Sequence, residues 1–414
     1  MRTFLLTTIL LFTFSLLSFG QKDKRPYLHF SKDPLWMQIQ SESKGYPNLS
    51  ERDIFDDGKK GMKLEYRFKG AFVSKKRINS TEYKYLNVRG LINSNAPGKP
   101  ALPTESITIA APINGSCQIH ILDSASRIYK GYNIAPAGKP QPDSYAGSQQ
   151  PIEKDKKLYS KDAFYPEKVV QAVDTSYYRG MPLVKVKVTP VQFNPVRKQI
   201  RVYSQINYSV SFTGEQFLSS DNSKRAINNV KNMVVNPKVF DSNEKKNTRF
   251  SDEVAEDQIE EEKSINKIGY LIVTHDNYQD AANSLANWKR QLGYDVEVIS
   301  RADWNTSQVG DSIEFYYNNE SPRPDYFVIL GDQDDVPGRS ETHDKYGDYV
   351  TDLFYACMGS SSDHTADMAR GRIPVESESE ANTIINKIIG YEKNPVNNSG
   401  FYNKGLNCAQ FQDY

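Results

Sequence analysis

Cysteine is scarce in this sequence. Among 414 residues, only Cys117, Cys357 and Cys408 occur. The count is odd and no two of them have the spacing of a metal site, so neither a disulfide framework nor a cysteine-ligated metal is expected; one bridge remains possible. Stability should come from hydrophobic cores, for which 38% hydrophobic residues with 12% aromatics are sufficient.

A surplus of charge is also missing, because 52 Lys and Arg residues balance 51 Asp and Glu residues. A protein that binds nucleic acid or an anionic membrane surface usually carries a basic surplus. We therefore expect no nucleic-acid partner, although the balance leaves room for a local patch.

Long apolar runs are confined to residues 1–20. Arg2 precedes "FLLTTILLFTFSLLSF", and the small residue Gly20 precedes Gln21 and a charged segment. This arrangement is typical of a secretory signal peptide. A membrane anchor is the alternative, since the run approaches the ~18 residues that a span needs. No second long run follows, so we expect an exported chain with no membrane span after signal removal.

Motifs that define common catalytic centres are absent too: there is no Gly-x-Ser-x-Gly, no phosphate loop and no His-Glu-x-x-His. Cys357 and Cys408 lie in apolar, strand-like runs, where a cysteine is more often inert packing than reactive. His343 and His364 have no neighbouring feature that marks a general base. These 414 residues alone are not expected to assemble a catalytic centre.

The chain length indicates two or three domains at roughly 150 residues each. Residues 21–218 are predicted to be β-rich. Val184, Val186 and Val188 alternate with polar residues, and alternation resumes after the turn "NPVRKQ". Period-two alternation on both sides of an Asn-Pro turn predicts a hairpin of half-buried strands.

Residues 219–266 are polar, poor in large apolar side chains, and end in an acidic block. Such a segment cannot bury enough surface to order itself, so we predict a flexible, cleavable linker. Lys245, Lys246 and Arg249 are candidate cleavage positions, although most exposed basic pairs are merely solvated.

Residues 267–414 alternate between strand and helix patterns. "IGYLIVTH" is a continuous apolar run typical of a strand buried on both faces. Ala281, Leu285 and Trp288 recur at helical spacing, and a capping box at Ser377 begins a later helix. Further strands are predicted at "YDVEVIS", "DYFVILG", "TDLFYACM" and "KGLNCAQF". Strand–helix alternation predicts a mainly parallel sheet with helices on both faces.

Carboxylates are concentrated near two predicted strands. "GDQDDVPG" follows the strand "YFVIL", and "SSSDHTADMARGRIPV" supplies Asp363 and Asp367 on a polar loop. Active sites of parallel sheets lie beyond the carboxyl ends of their strands, where Asp332 falls. Carboxylates mixed with backbone carbonyls are the ligands that Ca²⁺ takes. Solvated loop acids and helix-capping acids are the alternatives.

Four segments of the second half resemble, in order, the opening of the catalytic domain of gingipain-type secreted cysteine peptidases. They are "GYLIVTHDNYQDAANSLANWKRQLGYDVEVIS", "YFVILGDQDDVPG", "TDLFYACM" and "DMARGRIPVESESEANTIINKIIGYEKNP". The β-rich half resembles the pro-domain of that family in "GKPALPTESITIAAP" and "VTPVQFNPVRKQIRVY". The combination of "GDQDDVP" with the later "ARGRIPV" is the most specific part.

The resemblance implies a multidomain chain: a β-rich N-terminal pro-domain and then the N-terminal part of an α/β caspase-like domain. In that fold a parallel sheet lies between helices, with a Cys–His dyad at the strand tips. The resemblance also implies an exported zymogen whose own pro-domain acts as an intramolecular inhibitor until the linker is cut. Protein or peptide substrates and a bacterial secretion machinery are the partners it implies.

Bound Ca²⁺ is a further implication of the resemblance. One family site joins the aspartate after the strand-tip glycine to the loop before the Gly-Arg pair. Matched residue by residue, the implied ligands are the carboxylates of Asp332, Asp363 and Asp367 and the carbonyls of Ser360 and Thr365.

The sequence departs from the family pattern in one respect. The catalytic histidine and the nucleophilic cysteine of the family lie downstream of the region matched here. Asp413 is the position that matches the acid supporting the histidine, where ordinary strand-end solvation is the alternative. We therefore expect a cysteine endopeptidase zymogen whose dyad follows residue 414, so that this fragment is inactive. A non-catalytic surface or secretion component that retains the fold is the alternative.

Overall fold

The computed structural model describes residues 27–29, 50–78, 80–88, 90–139, 152–219, 222–241, 268–343, 347–359 and 363–405. The predicted signal peptide, the candidate cleavage residues Lys245, Lys246 and Arg249, and Ser360, Cys408 and Asp413 lie outside these ranges. In the N-terminal part the strands are β1 (Tyr27–His29), β2 (Ser50–Asp56), β3 (Met62–Phe68), β4 (Gly70–Ile78), β5 (Thr81–Asn87), β6 (Ile92–Asn93), β7 (Pro103–Ala110), β8 (Ser116–Lys130), β9 (Val170–Tyr178), β10 (Met181–Val188), β11 (Val191–Asn194) and β12 (Gln199–Thr213).

In the C-terminal part the strands are β13 (Ile268–His275), β14 (Tyr294–Arg301), β15 (Pro324–Leu330), β16 (Arg339–His343), β17 (Gly347–Thr351) and β18 (Ala369–Ile373). The α-helices of the described chain are α1 (Lys156–Tyr159), α2 (Lys224–Met233), α3 (Gln279–Gln291), α4 (Thr306–Asn319), α5 (Glu378–Lys393) and α6 (Ser399–Tyr402). No helix among the described residues is long and apolar enough to cross a membrane.

The N-terminal part is built from antiparallel sheets. Their strand orders are β1-β4-β5, β6-β7-β10-β9 and β11-β12-β3-β2, with β8 also paired to β12. Val184, Val186 and Val188 of β10 are buried, and β11 pairs with β12 across the predicted Asn-Pro turn. Apolar side chains from these sheets form one large core, because alternation points every second residue inward. The predicted β-rich part is confirmed.

Residues 222–241 are ordered, although the sequence analysis assigned them to the linker. Helix α2 begins after Ser223, whose hydroxyl accepts the N–H of Ala226 at 3.2 Å. Ala226 and Val230 are fully buried against the β-rich part. The linker prediction is therefore wrong for 222–241: apolar residues at helical spacing bury one face of a short helix, which a polar average composition concealed.

The C-terminal part contains a four-stranded parallel sheet of order β14-β13-β15-β18. Helices α3 and α5 pack on one face, and α4 packs on the other. The chain runs from β13 through α3 to β14 on one side, and then through α4 back across β13 to β15 on the other. Such a reversal of strand order creates a crevice at the carboxyl ends of β13 and β15. The predicted class, a β-rich part followed by a parallel-sheet α/β part, is confirmed.

The segment "TDLFYACM" is not a strand of the sheet. Leu353–Ala356 form a 3₁₀ turn instead, in which Tyr355 and Ala356 are buried beneath α4. The strand prediction was wrong because a short apolar run fits a buried turn as well as a strand. Strand β18, from "ARGRI", takes the place beside β15.

Candidate functional site

The strand-tip loop, residues 331–338, follows β15 at the carboxyl ends of the parallel strands. Gly331 has a φ of 139°, a conformation that favours glycine. The Oδ1 of Asp332 accepts the N–H groups of Asp334 at 2.9 Å and Asp335 at 3.3 Å. A carboxylate that accepts amides two and three residues later closes an Asx turn. Asp332 therefore determines the shape of this loop.

The guanidinium of Arg372 fills the centre of the strand-tip loop. Its Nη1 donates to the carbonyls of Gly331 at 2.9 Å, Asp332 at 3.0 Å and Val336 at 2.8 Å. Its Nε and Nη2 donate to the two carboxylate oxygens of Asp352 at 2.9 and 2.7 Å. Three convergent carbonyl oxygens could also serve as ligands of a hard metal cation. In this loop they accept hydrogen bonds from the positively charged guanidinium of Arg372 instead.

His275 ends β13 at the same edge, and the sequence analysis did not single it out. Its Nδ1 accepts the N–H of Asn277 at 3.1 Å, and its Nε2 lies 2.9 Å from the carbonyl of Ala302. The two contacts together favour the neutral tautomer with its proton on Nε2. Since both ring nitrogens are engaged, His275 orders the end of β13.

Asp363 and Asp367 form a second cluster, and both are only 2% exposed. Asp363 accepts the N–H of Thr365 at 2.9 Å and that of Tyr177 at 3.1 Å. Asp367 accepts the N–H groups of Met358, at 2.7 Å, and of Arg179. Burial raises the pKa of Asp367 to about 6, and the amides of Met358 and Arg179 oppose that rise. All four carboxylate oxygens thus accept a backbone amide.

Arg179 belongs to the N-terminal part but inserts its side chain beside this second cluster. Its Nη1 donates to Asp325 Oδ1 at 2.8 Å, to the carbonyl of Pro324 at 3.1 Å and to that of Asp367 at 3.3 Å. Its Nη2 donates to the carbonyl of Arg323 at 3.3 Å. Burial raises the pKa of Asp325, while Arg179 acts to lower it.

The structure does not bring the sequence-predicted calcium ligands together. Asp332 follows the last residue of β15, whereas Arg179 joins Asp367 to Pro324, the first residue of β15. A seven-residue strand separates the two edges by about 20 Å. The predicted single site that joins Asp332 to Asp363 and Asp367 is therefore corrected.

The acceptor oxygens of both clusters already have hydrogen-bond donors, and Ser360 lies outside the described residues. Around Asp332, the convergent carbonyls already contact a guanidinium; around Asp363 and Asp367, each carboxylate oxygen already accepts an N–H. Thr365 contributes its amide to the second cluster. Over the described ranges, no group of three or more His, Cys, Asp or Glu residues could hold a metal.

Cys357 has the properties of a structural thiol. Its Sγ donates to the carbonyl of Leu353 at 3.4 Å. Burial, followed by the charges of Asp363 and Asp367, raises the pKa of Cys357 to about 11. A nucleophilic cysteine needs the opposite shift, because the thiolate is the reactive form. The inert assignment from sequence agrees with this environment.

Sequence reasoning missed Arg179 and Arg372. The signal for Arg372 was its position in "ARGRIPV", on a strand next to the strand-tip loop. The signal for the second cluster was chain order: Asp363 and Asp367 precede β18, whereas Asp332 follows β15. Residues before and after parallel strands lie at opposite edges of the sheet, so the two clusters had to be separate.

Family models match both parts of the chain. The model of Peptidase family C25 matches residues 263–412, and that of Propeptide_C25 matches residues 51–247. The chain belongs to peptidase family C25. The β-rich part with α2 is therefore its pro-domain, and the α/β part belongs to its peptidase domain.

Curated relatives of this C25 protein include two gingipains of Porphyromonas gingivalis. Gingipain R2 is 24% identical over 324 residues, which are 73% of this chain and 39% of the relative. Lys-gingipain is 21% identical over 373 residues, 86% of this chain and 20% of the relative. The chain thus spans about two fifths or less of the length of these relatives.

Two solved structures are similar to the chain at low TM-score. The complex of Porphyromonas gingivalis RgpB pro- and mature domains shares 21% identity at a TM-score of 0.39, covering 45% of this chain and 97% of that one. A structure that concerns the zymogenic latency of gingipain K from the same organism shares 18% identity at a TM-score of 0.36. The match covers 41% of this chain and 95% of that one.

The family assignment identifies the second cluster as a contact between domains. Tyr177 and Arg179 lie within the propeptide match, and Asp325, Asp363 and Asp367 lie within the peptidase match. The pro-domain of this C25 protein therefore contacts the amino-end edge of the peptidase sheet through buried polar groups.

Proposed function

We propose that this C25 protein is the zymogen of a secreted cysteine endopeptidase. The observation that carries the proposal is that propeptide and peptidase matches adjoin in one chain, and that the two parts contact each other through Arg179. Its substrates are proteins or peptides, and residues 1–20 direct its export, with a bacterial secretion machinery as partner.

The proposed reaction is hydrolysis through a Cys–His dyad encoded after residue 414. The histidine takes the thiol proton, and the thiolate attacks the carbonyl carbon of the scissile peptide bond. The amine leaves with the proton from the imidazolium, and water then hydrolyses the thioester. Open α/β sheets place such chemistry at the carboxyl ends of their strands.

The residues of this chain contribute position to that reaction. Arg372 and Asp352 hold the strand-tip loop rigid at the carboxyl-end edge, where a dyad from following strands would lie. The pro-domain acts as the intramolecular inhibitor, and cleavage in the linker after Asp241 begins activation.

Expression of the longer reading frame tests this function. We expect turnover of peptide substrates after linker cleavage, loss of turnover on alkylation of thiols, and no turnover by the 414-residue chain. Replacing Cys357 by Ala in the longer protein should leave turnover intact, since the Sγ of Cys357 is engaged by the carbonyl of Leu353 in a buried turn.

Two outcomes would contradict the proposal. A longer frame with no cysteine and histidine after further strands would favour the non-catalytic surface component. Thiol-dependent turnover by the 414-residue chain itself would contradict the assignment of the dyad to downstream residues.

A further inference from the structure

The turn between β9 and β10 has a backbone that does not favour arginine. Tyr178 pairs with Met181, so Arg179 and Gly180 form a two-residue hairpin turn, with φ values of 50° and 78°. Two positive φ values characterise a type I′ turn, for which Asn-Gly and Gly-Gly are preferred. The backbone conformation therefore does not explain an arginine at this position. The contacts of the Arg179 side chain explain it.

The side chain of Arg179 is a buried cation held by the peptidase domain. It is 2% exposed, and that of its partner Asp325 is 11% exposed. The acceptors of its guanidinium belong to the peptidase domain: one carboxylate and three carbonyls. The ring centroid of Tyr317 lies 5.5 Å away. A buried charge is tolerated only with such partners, and removing one side leaves the other uncompensated.

The backbone of the same turn satisfies the two buried aspartates. Amides of Tyr177 and Arg179 donate to Asp363 and Asp367, respectively. Each carboxylate has one further amide from its own domain. Separation of the domains would therefore leave two neighbouring carboxylates half satisfied and one guanidinium without its carboxylate, so both surfaces favour the docked state.

Helix α2 supports the turn from behind. Asn222 Nδ2 donates to the carbonyl of Arg179 at 2.9 Å, and Asn229 Nδ2 donates to the hydroxyl of Tyr178 at 3.0 Å. Arg225 of the helix lies 4.9 Å from the ring centroid of Tyr326 on β15. The turn is thus a rigid projection of the pro-domain and not a loose loop.

This contact lies at the amino ends of the peptidase strands. The acceptors of Arg179 are at the start of β15 and directly before β18. The edge where chemistry is proposed is at the other end of the same strands. The contact therefore holds the pro-domain without occupying the proposed reaction edge.

We propose that residues 177–180, the anchor turn, retain the pro-domain on the peptidase domain independently of the covalent linker. Cleavage of the linker then leaves a non-covalent complex, and release of the pro-domain requires withdrawal of Arg179 from its pocket beside Asp325. This inference rests on the proposed function only in that the N-terminal part is a pro-domain.

A cleavable version of the whole chain tests the anchor turn. A recognition sequence for a site-specific protease is inserted after Asp241, and the folded chain is cut. Arg179→Gly is compared with Lys198→Gly. Both residues have nearly the same φ, 50° and 51°, but Lys198 is exposed in the β11–β12 turn. Glycine tolerates this φ, so each variant removes only a side chain.

We expect the cut wild type and Lys198→Gly to elute from a sizing column as one complex. Arg179→Gly should separate into two fragments, with a dissociation constant raised by about 100-fold or more, as for other buried charge pairs that lose one partner. Separation of the wild-type fragments, or equal retention of the two glycine variants, would overturn the inference.

A variant on the other side of the contact keeps the test decisive. Thermal unfolding of the uncut chain shows whether Arg179→Gly folds. If it does not, Asp325→Ala is used in its place, because this substitution leaves the sequence of the anchor turn unchanged. Asp325→Ala should also release the fragment, and retention equal to wild type would overturn the anchor. Catalytic activity enters neither measurement, so failure of the anchor and failure of the peptidase proposal are distinguishable.

Discussion

Replacement of Arg372 by Met tests whether a guanidinium takes the place of a cation at the strand tip. The change removes five hydrogen bonds: three to carbonyls of the strand-tip loop and two to Asp352. The side chains of Arg372 and Asp352 are 18% and 19% exposed, so water replaces the lost donors only in part.

The expected cost follows from these contacts. Neutral hydrogen bonds contribute about 1 kcal/mol each and charged ones somewhat more, with partial rehydration of the freed carbonyls and of Asp352 reducing the sum. We expect Arg372→Met to lower the free energy of unfolding of the peptidase part by about 3 kcal/mol. Arg372→Lys should recover less than half of that loss, because a single ammonium cannot bridge three carbonyls and a carboxylate.

Urea unfolding of the whole chain measures this cost. Trp288 and Trp304, which both belong to the peptidase part, report its transition by fluorescence. Arg370→Met is the matched control: Arg370 lies on the same strand but is exposed. Its replacement should change stability by less than about 0.5 kcal/mol. Equal effects of the two substitutions would refute the proposed role of Arg372.

Three further predictions concern the metal, the thiol and the ordered end of the pro-domain. Chelation by EDTA should leave the melting temperature of the 414-residue chain unchanged, because its acidic clusters already have donors; a drop of several degrees that calcium restores would contradict this. Cys357 should react with iodoacetamide at pH 8 roughly a hundred times more slowly than a free thiol, because burial raises its pKa to about 11; peptide mapping by mass spectrometry measures the rate, and labelling as fast as a free thiol would refute it. Asn236→Ala should destabilise the pro-domain by about 2 kcal/mol, since the buried amide of Asn236 makes both hydrogen bonds to the backbone of Ala110 at 2.8 and 2.9 Å; the exposed-site control Asn232→Ala should not, and equal melting temperatures would show that residues 234–241 contribute little.

The resemblance predicted the family of both parts of the chain, but the structure does not assemble the single calcium site that it implied. Membership in the family is carried by long stretches of sequence, and it was confirmed over both parts of the chain. A ligand set depends on single side chains in loops. Here those side chains accept backbone amides, and the carbonyls around Asp332 accept a guanidinium, so the single site implied by the resemblance is not assembled.

Sequence by itself determined the class of each part of this protein, β-rich or α/β. Val184, Val186 and Val188 alternate with polar residues, and all three are buried. The continuous apolar run at β13 is likewise buried along most of its length. The class of each part could therefore be predicted, because hydrophobic period is a property of neighbouring residues.

Only the tertiary structure decided which polar groups meet. Arg179 and Asp367 are separated by 188 positions, and nothing in the composition of either segment announces their contact. Buried charges depend on partners that arrive from distant parts of the chain, and a polar helix such as α2 is ordered only because a core exists to receive Ala226 and Val230. Long-range docking of this kind is set by packing and electrostatics between whole elements, which no local pattern contains.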